Sequence, residues 1–340
     1  MTEDYSYHGQ VLGSIVSQAT RVATIAHVHP DGDAVGSSIA VASWLESLGK
    51  DVRSLFPDPL PESIGFAVSP RRKEKILVYT DSPSECEDWI KACDLIIILD
   101  MNCFSRADGL ETSLEESKAN KVLIDHHLYP DLEKFGHAIS FPEASSTAEI
   151  VYYLLKELGG PTPEAATALM TGMTTDTNNF SNSTRPETLK MASELLALGV
   201  DRDSIVENIN QKYRENRLRA LGMLLYTRMR TTQSGAAWNI LYKEDLQKFD
   251  LWEGDTEGFV NIPLAIGDVR LSILLKEEDG LFRVSIRSKK GTSAEVMARK
   301  YFHGGGHENA AGGRVFIPQD IPTPAHAEEY IEKLVKEYLG

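Results

Sequence analysis

The sequence has 340 residues, of which 42% are hydrophobic and 25% are charged, and its formal net charge is −15. This composition is typical of a globular chain of two domains, and it excludes a long basic surface for holding a nucleic-acid backbone. The longest apolar runs, such as 95–99, are too short to cross a membrane, and the first residues lack the pattern of a signal peptide.

The three cysteines, Cys86, Cys93 and Cys103, form no CxxC pair. An odd number of cysteines in a chain of this length favours a reducing compartment over a disulfide framework. We therefore expect a cytoplasmic protein with no membrane partner.

The first half of the chain alternates short apolar runs with helical patterns. Strands that are apolar along their whole length belong to parallel sheets covered by helices on both faces. Residues 1–190 are therefore predicted to form a doubly wound α/β domain with a mainly parallel sheet. Its predicted elements are strands at 21–28, 51–56, 75–79, 94–100 and 121–125, and helices at 33–49, 144–159 and 163–173.

The second half begins with helical patterns alone and then returns to strands. Residues 191–230 are predicted to form a helical linker, and residues 231–340 a smaller α/β domain with a mixed sheet. Thr292 or Ser293 is expected to cap a helix. The predicted elements are strands at 236–242, 268–277, 281–288 and 314–317, a hairpin turn at 278–280, and helices at 292–302 and within 324–339.

Acids and histidines stand where the predicted strands and one helix end. Ligands of open α/β sheets bind beyond the carboxyl ends of the strands, so we expect these side chains to meet at one edge. A single aspartate in such a place is more often a helix cap or a turn residue, so the prediction depends on four clusters together. The clusters are His27, Asp31 and Asp33; Asp100; Asp125, His126 and His127; and Asp176.

Crowded carboxylates and imidazoles repel or lose solvation unless a cation lies between them. A pair of divalent ions meets this need. A mixed shell of aspartate and histidine suits Mn²⁺, with Mg²⁺ or Co²⁺ as alternatives.

Four segments resemble, in this order, the four motifs of the DHH phosphoesterase superfamily: HVHPDGDA at 27–34, Asp100, DHH at 125–127 and TTDT at 174–177. The segment GGGHENAAGG at 304–313 resembles the signature of the DHHA1 domain. The resemblance covers nearly the whole chain, and the combination is far more specific than the triplet DHH alone. The chain length is most similar to that of the stand-alone nanoRNase/pAp phosphatase (NrnA-like) group.

The resemblance implies two metal ions and a role for each matching residue. His27 and Asp31 would hold the first ion, Asp33, His126 and Asp176 would hold the second, and Asp100 would bridge both.

Two further residues would act beside the metal ions. Asp125 would orient His126 or another ligand, and His127 would face the substrate phosphate and donate a proton to the leaving group. Because neighbouring side chains of an extended chain point to opposite sides, both histidines can serve one site only if the backbone turns directly after Asp125.

The resemblance also implies a set of substrate-binding residues. The three successive glycines would let backbone N–H groups approach a phosphate closely. Arg287 would present a forked guanidinium to it. The set consists of Arg106, Arg287, Gly304, Gly305, Gly306 and His307.

Two pairs of residues near these motifs carry further expectations, one pair of glycines and one pair of asparagines. Gly32 and Gly36 are expected to pack the helix after the first cluster against the sheet. Asn178 and Asn179 stand where many relatives carry a glycine and a small residue, which puts the substrate preference in doubt rather than the ligands.

The resemblance implies a divalent-metal-dependent phosphoesterase that degrades very short RNA to 5′-mononucleotides, dephosphorylates pAp, or does both. The alternatives are a cyclic-dinucleotide or pApA phosphodiesterase, a manganese inorganic pyrophosphatase, and a catalytically inactive nucleotide sensor. The complete ligand set speaks against the sensor, and GGGHENAAGG speaks against the pyrophosphatase. The predicted partners are short RNA or phosphorylated nucleotides and no long nucleic acid, and a homodimer is left open.

Overall fold

The chain folds into two units, Met1–Lys212 and Tyr213–Gly340. The computed structural model describes residues 4–210, 213–252 and 254–340. The division between the units falls inside the segment that the sequence predicts as a helical linker. Across the described ranges, no helix combines the length and the apolar character that a membrane span requires.

The first unit is built on a parallel sheet, as the sequence predicts, with six strands where the pattern predicts five. The strands are β1 Arg21–Ile25, β2 Asp51–Phe56, β3 Ile76–Val78, β4 Leu95–Leu99, β5 Asn120–Asp125 and β6 His137–Ser140. Their order is β3-β2-β1-β4-β5-β6, and every neighbouring pair is parallel. The chain reverses its direction of winding between β1 and β4, where doubly wound sheets bind ligands. The sequence pattern does not predict β6, because Ile139 alone of its four residues is buried.

Helices cover both faces of this sheet. In β4, Leu95, Ile97 and Leu99 pack into a core shared with the helices Gly32–Ser47 and Pro163–Asp176. The intervening Ile96 and Ile98 pack into a second core, shared with the helices Pro83–Ala92 and Glu111–Glu116. Burial on both faces accounts for the uninterrupted apolar run. The helices are α1 Tyr5–Gln18, α2 Gly32–Ser47, α3 Pro70–Lys73, α4 Pro83–Ala92, α5 Glu111–Glu116, α6 Thr147–Glu157, α7 Pro163–Asp176, α8 Pro186–Ala197 and α9 Arg202–Asn210.

Helices α2 and α7 meet at a close contact made possible by glycine. A Cβ atom at Gly36 would lie 2.4 Å from the carbonyl oxygen of Ala168, and one at Gly32 would lie 2.3 Å from Oγ1 of Thr175. These glycines therefore pack α2 against α7, and the prediction that they pack against the sheet is wrong. The contact fixes the site, because the first turn of α2 and the last turn of α7 both carry predicted ligands.

The second unit is built on a mixed sheet, also as predicted, with six strands where the pattern predicts four. Its order is β11-β12-β10-β9-β8-β7, with β8 and β9 parallel and the other pairs antiparallel. The strands are β7 Arg230–Thr231, β8 Ala236–Leu241, β9 Leu271–Glu278, β10 Leu281–Ser288, β11 Gly305–His307 and β12 Ala310–Phe316. The helices are α10 Glu215–Met223, α11 Lys243–Lys248, α12 Ala294–Tyr301 and α13 Ala327–Leu339.

The two faces of this second sheet are covered differently. Phe282, Val284 and Ile286 of β10 pack into a core shared with α12 and α13. On the opposite face, an apolar cluster around Phe259 covers β8 and β9. The residues of β10 on that face are only partly buried.

The segment GGGHENAAGG forms a β-hairpin, of which the sequence pattern predicts only the second strand. That strand begins at Ala310 rather than at 314, and β11 pairs with it so that Gly305 lies opposite Gly312. A Cβ atom at Gly304 would lie 1.9 Å from the carbonyl oxygen of Gly312, and one at Gly306 would lie 2.6 Å from that of Ala310. These two glycines are therefore required by the packing of the hairpin.

Candidate metal centre

The four acidic clusters meet at the carboxyl edge of the first sheet. His27 lies two residues after β1, Asp100 follows β4 directly, and His126 follows β5 directly. Asp176 is the last residue of α7 and reaches the same place from a helix. Residues far apart in the chain are therefore brought together at the switch point of the sheet.

Asp100 stands at the centre of this cluster, and its two carboxylate oxygens face different histidines. Oδ2 lies 3.4 Å from Nε2 of His27, whereas Oδ1 lies 3.5 Å from Nε2 of His126. The hydroxyl of Thr147 donates to Oδ1 at 3.0 Å. The φ angle of Asp100 is 58°, a strained conformation for a residue other than glycine. The backbone thus holds a buried carboxylate where it can bridge two ions.

Two groups of ligand atoms flank the central carboxylate. On one side, Nε2 of His27 lies 3.9 Å from Oδ1 of Asp31. On the other, Nε2 of His126 lies 3.9 Å from Oδ2 of Asp33 and 3.6 Å from Oδ2 of Asp176. Carboxylate oxygens and imidazole nitrogens suit Mn²⁺ and related divalent ions, so the residues present fit a pair of such ions.

His27 and His126 are both oriented by backbone carbonyl groups. Nδ1 of His27 lies 2.8 Å from the carbonyl oxygen of Val28, and Nδ1 of His126 lies 3.2 Å from that of Ala144. A proton on Nδ1 satisfies these carbonyls and leaves Nε2 as the nitrogen that faces the cluster. Metal-binding histidines are commonly fixed in this way.

Two of the aspartates also cap helices. Oδ1 of Asp31 accepts hydrogen bonds from the N–H groups of Asp33 and Ala34 at the start of α2. Asp33 accepts from the N–H groups of Thr147 and Ala148 at the start of α6, at 2.6 and 2.8 Å. Helix N-termini stabilise negative charge, so the fold itself supports two carboxylates of the cluster.

Burial and mutual repulsion govern the electrostatics of the cluster. Burial raises the pKa of Asp33 well above its usual value, and the charges of Asp100 and Asp176 raise it further. Burial also acts to raise the pKa of Asp100, but the hydrogen bond from His27 and other imidazoles nearby bring it far below the usual value. Burial acts to lower the pKa values of His27 and His126, yet the surrounding carboxylates raise them overall. A divalent cation meets this demand for positive charge.

The two adjacent histidines have different partners. The turn after β5 brings His126 and His127 within 3.5 and 3.6 Å of the same oxygen of Asp100. Asp125 accepts a hydrogen bond from Nδ1 of His127 at 2.7 Å, so Asp125 orients His127 and not His126. Asp125 is wholly buried, and its Oδ2 has no hydrogen-bond partner among the described residues.

Arg106 lies beside the cluster, in the 3-10 helix Phe104–Leu110. Its carbonyl oxygen accepts from the N–H of Val28 at 2.7 Å, and its Nη1 lies 3.5 Å from the carbonyl oxygen of Asp100.

His29, in the first motif, lies outside the cluster. Its Nδ1 lies 3.2 Å from Oδ2 of Asp58, and its side chain is 58% exposed.

The turn after Asp176 contains Asn178 and Asn179, both with left-handed backbone conformations. Asn178 and Asn179 have φ angles of 45° and 56°. Asparagine adopts such left-handed conformations more readily than most residues. The departure from the family pattern is therefore compatible with this turn.

Thr147 is a residue of this site that the sequence reasoning does not identify. Its N–H binds Asp33 and its hydroxyl binds Asp100. The sequence does contain a signal, since Ser146 and Glu149 have the spacing of a helix-capping box, and the Ser146 hydroxyl accepts from the N–H of Glu149. That signal locates the start of α6 but does not reveal which carboxylates it meets.

Two of the predicted substrate-binding residues of the second unit lie on strands separated by one other strand. Arg287 in β10 and His307 in β11 are both level with Ala310 in β12, which lies between them. Paired residues of antiparallel strands point to one face, so Arg287 and His307 share a face. Of the three glycines before His307, only Gly305 has open space where a side chain would stand.

Comparison with known families gives two matches. A model of the "DHH family, N-terminal domain" matches residues 21–173, and a model of the "DHHA1 domain" matches residues 239–337. The first match contains the ends of β1, β4 and β5, and the second contains Arg287 and the hairpin.

Individual proteins resemble the chain along most of its length. The bifunctional oligoribonuclease and PAP phosphatase NrnA of Thermus thermophilus is 30% identical over 289 residues, which cover 84% of this chain and 81% of that protein. The cyclic-di-AMP phosphodiesterase GdpP of Bacillus subtilis is 25% identical over 346 residues, which cover 94% of this chain and 49% of that protein. The crystal structure of an exopolyphosphatase-related protein from Bacteroides fragilis has a TM-score of 0.90 at 35% identity, covering 98% of this chain and 96% of that one.

Proposed function

The chain belongs to the DHH phosphoesterase family, and we propose that it hydrolyses very short RNA oligonucleotides to 5′-mononucleotides and removes a phosphate from pAp. The observation that carries this proposal is the position of Asp100. Its two buried oxygens face two separate groups of ligand atoms, which is the arrangement that phosphoester hydrolysis with two metal ions requires.

Two Mn²⁺ ions are the proposed cofactors. His27 and Asp31 would hold one ion, Asp33, His126 and Asp176 would hold the other, and Asp100 would be shared. Such ions, when bound, supply an activated water and stabilise the charge that develops on the leaving oxygen.

His127 is the proposed proton donor to the leaving oxygen. Its Nδ1 is engaged by Asp125 at 2.7 Å, which fixes the plane of the ring and assigns proton transfer to Nε2. Asp125 is buried and cannot rotate freely toward solvent, so it acts by positioning His127. Arg106, whose guanidinium lies beside the cluster, would contact the phosphate of the substrate.

The second unit would bind the substrate through the face that Arg287 and His307 share. A guanidinium and an imidazole on one sheet face can both donate hydrogen bonds to a phosphate. Gly305 leaves room for that phosphate near the strand. Because the chain carries a net charge of −15, recognition would depend on these few groups, which favours a short substrate in the cytoplasm over a long nucleic acid.

A second candidate function is the hydrolysis of cyclic di-AMP. The likeness to GdpP, which extends over 94% of this chain, favours it. The same metal ligands would serve both reactions, so the substrate must be decided by measurement.

The deciding experiment is a substrate panel assayed with Mn²⁺ and, in parallel, with EDTA. The substrates are pAp, a dinucleotide RNA, a 24-nucleotide RNA, cyclic di-AMP and pyrophosphate. We expect rapid hydrolysis of pAp and the dinucleotide, slow hydrolysis of the long RNA, and none in EDTA. Rapid cleavage of pyrophosphate alone would contradict the proposal, and rapid cleavage of cyclic di-AMP alone would establish the second candidate.

The role of Asp100 is tested with Asp100→Asn in the same assay and by metal titration. We expect fewer than two Mn²⁺ ions bound per chain and a loss of hydrolysis for every substrate. A variant that binds two ions with full activity would show that Asp100 does not bridge them.

A further inference from the structure

The partly buried face of β10, β12 and β11, here called the open face, carries a second row of cationic side chains. Lys276 in β9, Arg283 in β10 and Arg314 in β12 lie level with one another across three strands. Paired residues of antiparallel strands point to one face, and like charges directly opposite each other destabilise a sheet. Glu278 pairs with Lys276 and Arg283, at 3.3 and 3.1 Å.

Arg314 stands out within this cationic row. Its side chain is exposed, and it forms no ion pair among the residues that the structure describes. Arg314 lies opposite Arg283, a group of the same charge, and Glu278 is ion-paired with Arg283 and not with Arg314. An anionic ligand would remove the repulsion.

The row between the two cationic rows has almost no side chains. Ser285, Gly312 and Gly305 lie level with one another between the Arg283 row and the Arg287 row. A Cβ atom at Gly305 would meet no atom within 4 Å, so the packing of the hairpin does not require glycine there. The open face thus has a shallow floor with positive charge at both ends.

The distance between the two cationic rows selects the kind of ligand. Arg283 and Arg287 are four residues apart on one strand, which places their Cα atoms about 14 Å apart. This distance exceeds the separation of the two phosphates of a single nucleoside 3′,5′-bisphosphate, which have one ribose between them. Phosphates that lie directly over the two rows would therefore belong to different nucleotides of one strand.

We propose that the row of Lys276, Arg283 and Arg314 binds a second phosphate of an oligonucleotide whose first phosphate lies at Arg287 and His307. The inference depends on the proposed function and specifies its substrate: the site distinguishes an oligonucleotide of three phosphates from pAp. The row contributes to the binding of the oligonucleotide and not to the hydrolysis of pAp.

The test compares two trinucleotides that differ by one phosphate, pApApA and ApApA, each with a 3′-fluorophore. Binding is measured by fluorescence anisotropy in EDTA, so that no hydrolysis occurs. Only pApApA has phosphates two nucleotides apart. We expect the wild-type chain to bind it at least about tenfold more tightly than ApApA, the effect of losing one charge-assisted contact.

The variant Arg283→Gln/Arg314→Gln should bind pApApA only as well as ApApA, and its affinity for ApApA should equal that of the wild type. In Mn²⁺, its KM for pApApA should rise about tenfold while its kcat and both constants for pAp stay unchanged. Arg219→Gln is the matched control, because Arg219 is 69% exposed on α10 of the same unit.

Three results would overturn the proposal: no binding of pApApA by the wild type, equal binding of pApApA by the wild type and the double variant, or an equal loss for both trinucleotides. The last result would mean that the row attracts any phosphate regardless of spacing. A failure of the proposed function would give a different result, namely no hydrolysis of pAp or RNA in Mn²⁺. The anisotropy measurement in EDTA would still show whether the row of Lys276, Arg283 and Arg314 binds a phosphate.

Discussion

The substitution Asp125→Asn separates the positioning of His127 from the binding of metal. Asparagine has the same shape, but it replaces a charged acceptor with a neutral one at 2.7 Å from Nδ1 of His127. A hydrogen bond to a charged group contributes about 1.5–3 kcal/mol. If this contribution holds His127 in the protonated and oriented form that acts on the leaving oxygen, its loss lowers kcat roughly tenfold to a hundredfold and changes KM little.

The assay is hydrolysis of pAp in Mn²⁺, together with a metal titration and a thermal melt in EDTA. The melting temperature should not fall, because the variant removes a buried charge whose Oδ2 has no hydrogen-bond partner among the described residues. Asp58→Asn is a matched control, since Asp58 pairs in a similar way with His29 at 3.2 Å outside the cluster. A loss of bound metal in proportion to the loss of activity would refute the positioning role and make Asp125 a ligand.

Two further predictions concern stability. Gly36→Ala should lower the free energy of unfolding in urea by about 1–3 kcal/mol, because its Cβ atom would lie 2.4 Å from a backbone oxygen of α7. Gly65→Ala is the control and should change it much less, since the new atom meets open space. Equal effects of the two substitutions would disprove the tight contact. Mn²⁺ at a hundredfold excess over its Kd should stabilise the chain by about 2.7 kcal/mol for each bound ion in a thermal melt. Asp31→Asn should reduce the stabilisation by Mn²⁺ and leave the melting temperature in EDTA unchanged, since asparagine caps α2 equally well. A large fall of the melting temperature in EDTA would show that the charge of Asp31 itself supports the fold.

The arrangement of the cluster follows from the sequence to a considerable extent. The strands that lead to Asp100 and Asp125 contain uninterrupted apolar runs. Such runs indicate a parallel sheet, and parallel strands carry their C-terminal residues to one edge. This rule alone brings three of the four clusters together. Asp176 is different, because a helix brings it there, and its place depends on the glycine contact between α2 and α7.

The partners of individual side chains could not be predicted in the same way. Whether Asp125 holds His126 or His127 depends on the angle of the turn after β5, which the pattern of apolar residues does not specify. The hydrogen bonds from Thr147 to Asp33 and Asp100 join residues more than 40 positions apart. The hairpin of β11 and β12 was hidden for another reason, since glycine-rich strands lack the side chains from which strands are recognised.

The helix termini explain how so many carboxylates can be held together by the fold. Asp31 lies at the N-terminus of α2 and Asp33 contacts the N-terminus of α6, and each receives two backbone hydrogen bonds there. Burial and then repulsion raise the pKa of Asp33, and the partial positive charge of a helix N-terminus offsets part of both effects. These bonds also fix the direction of each carboxylate, because both oxygens of Asp33 are engaged. Folding thus orients the proposed ligand atoms in advance, and an ion bound there would complete the neutralisation of charge without having to organise the site.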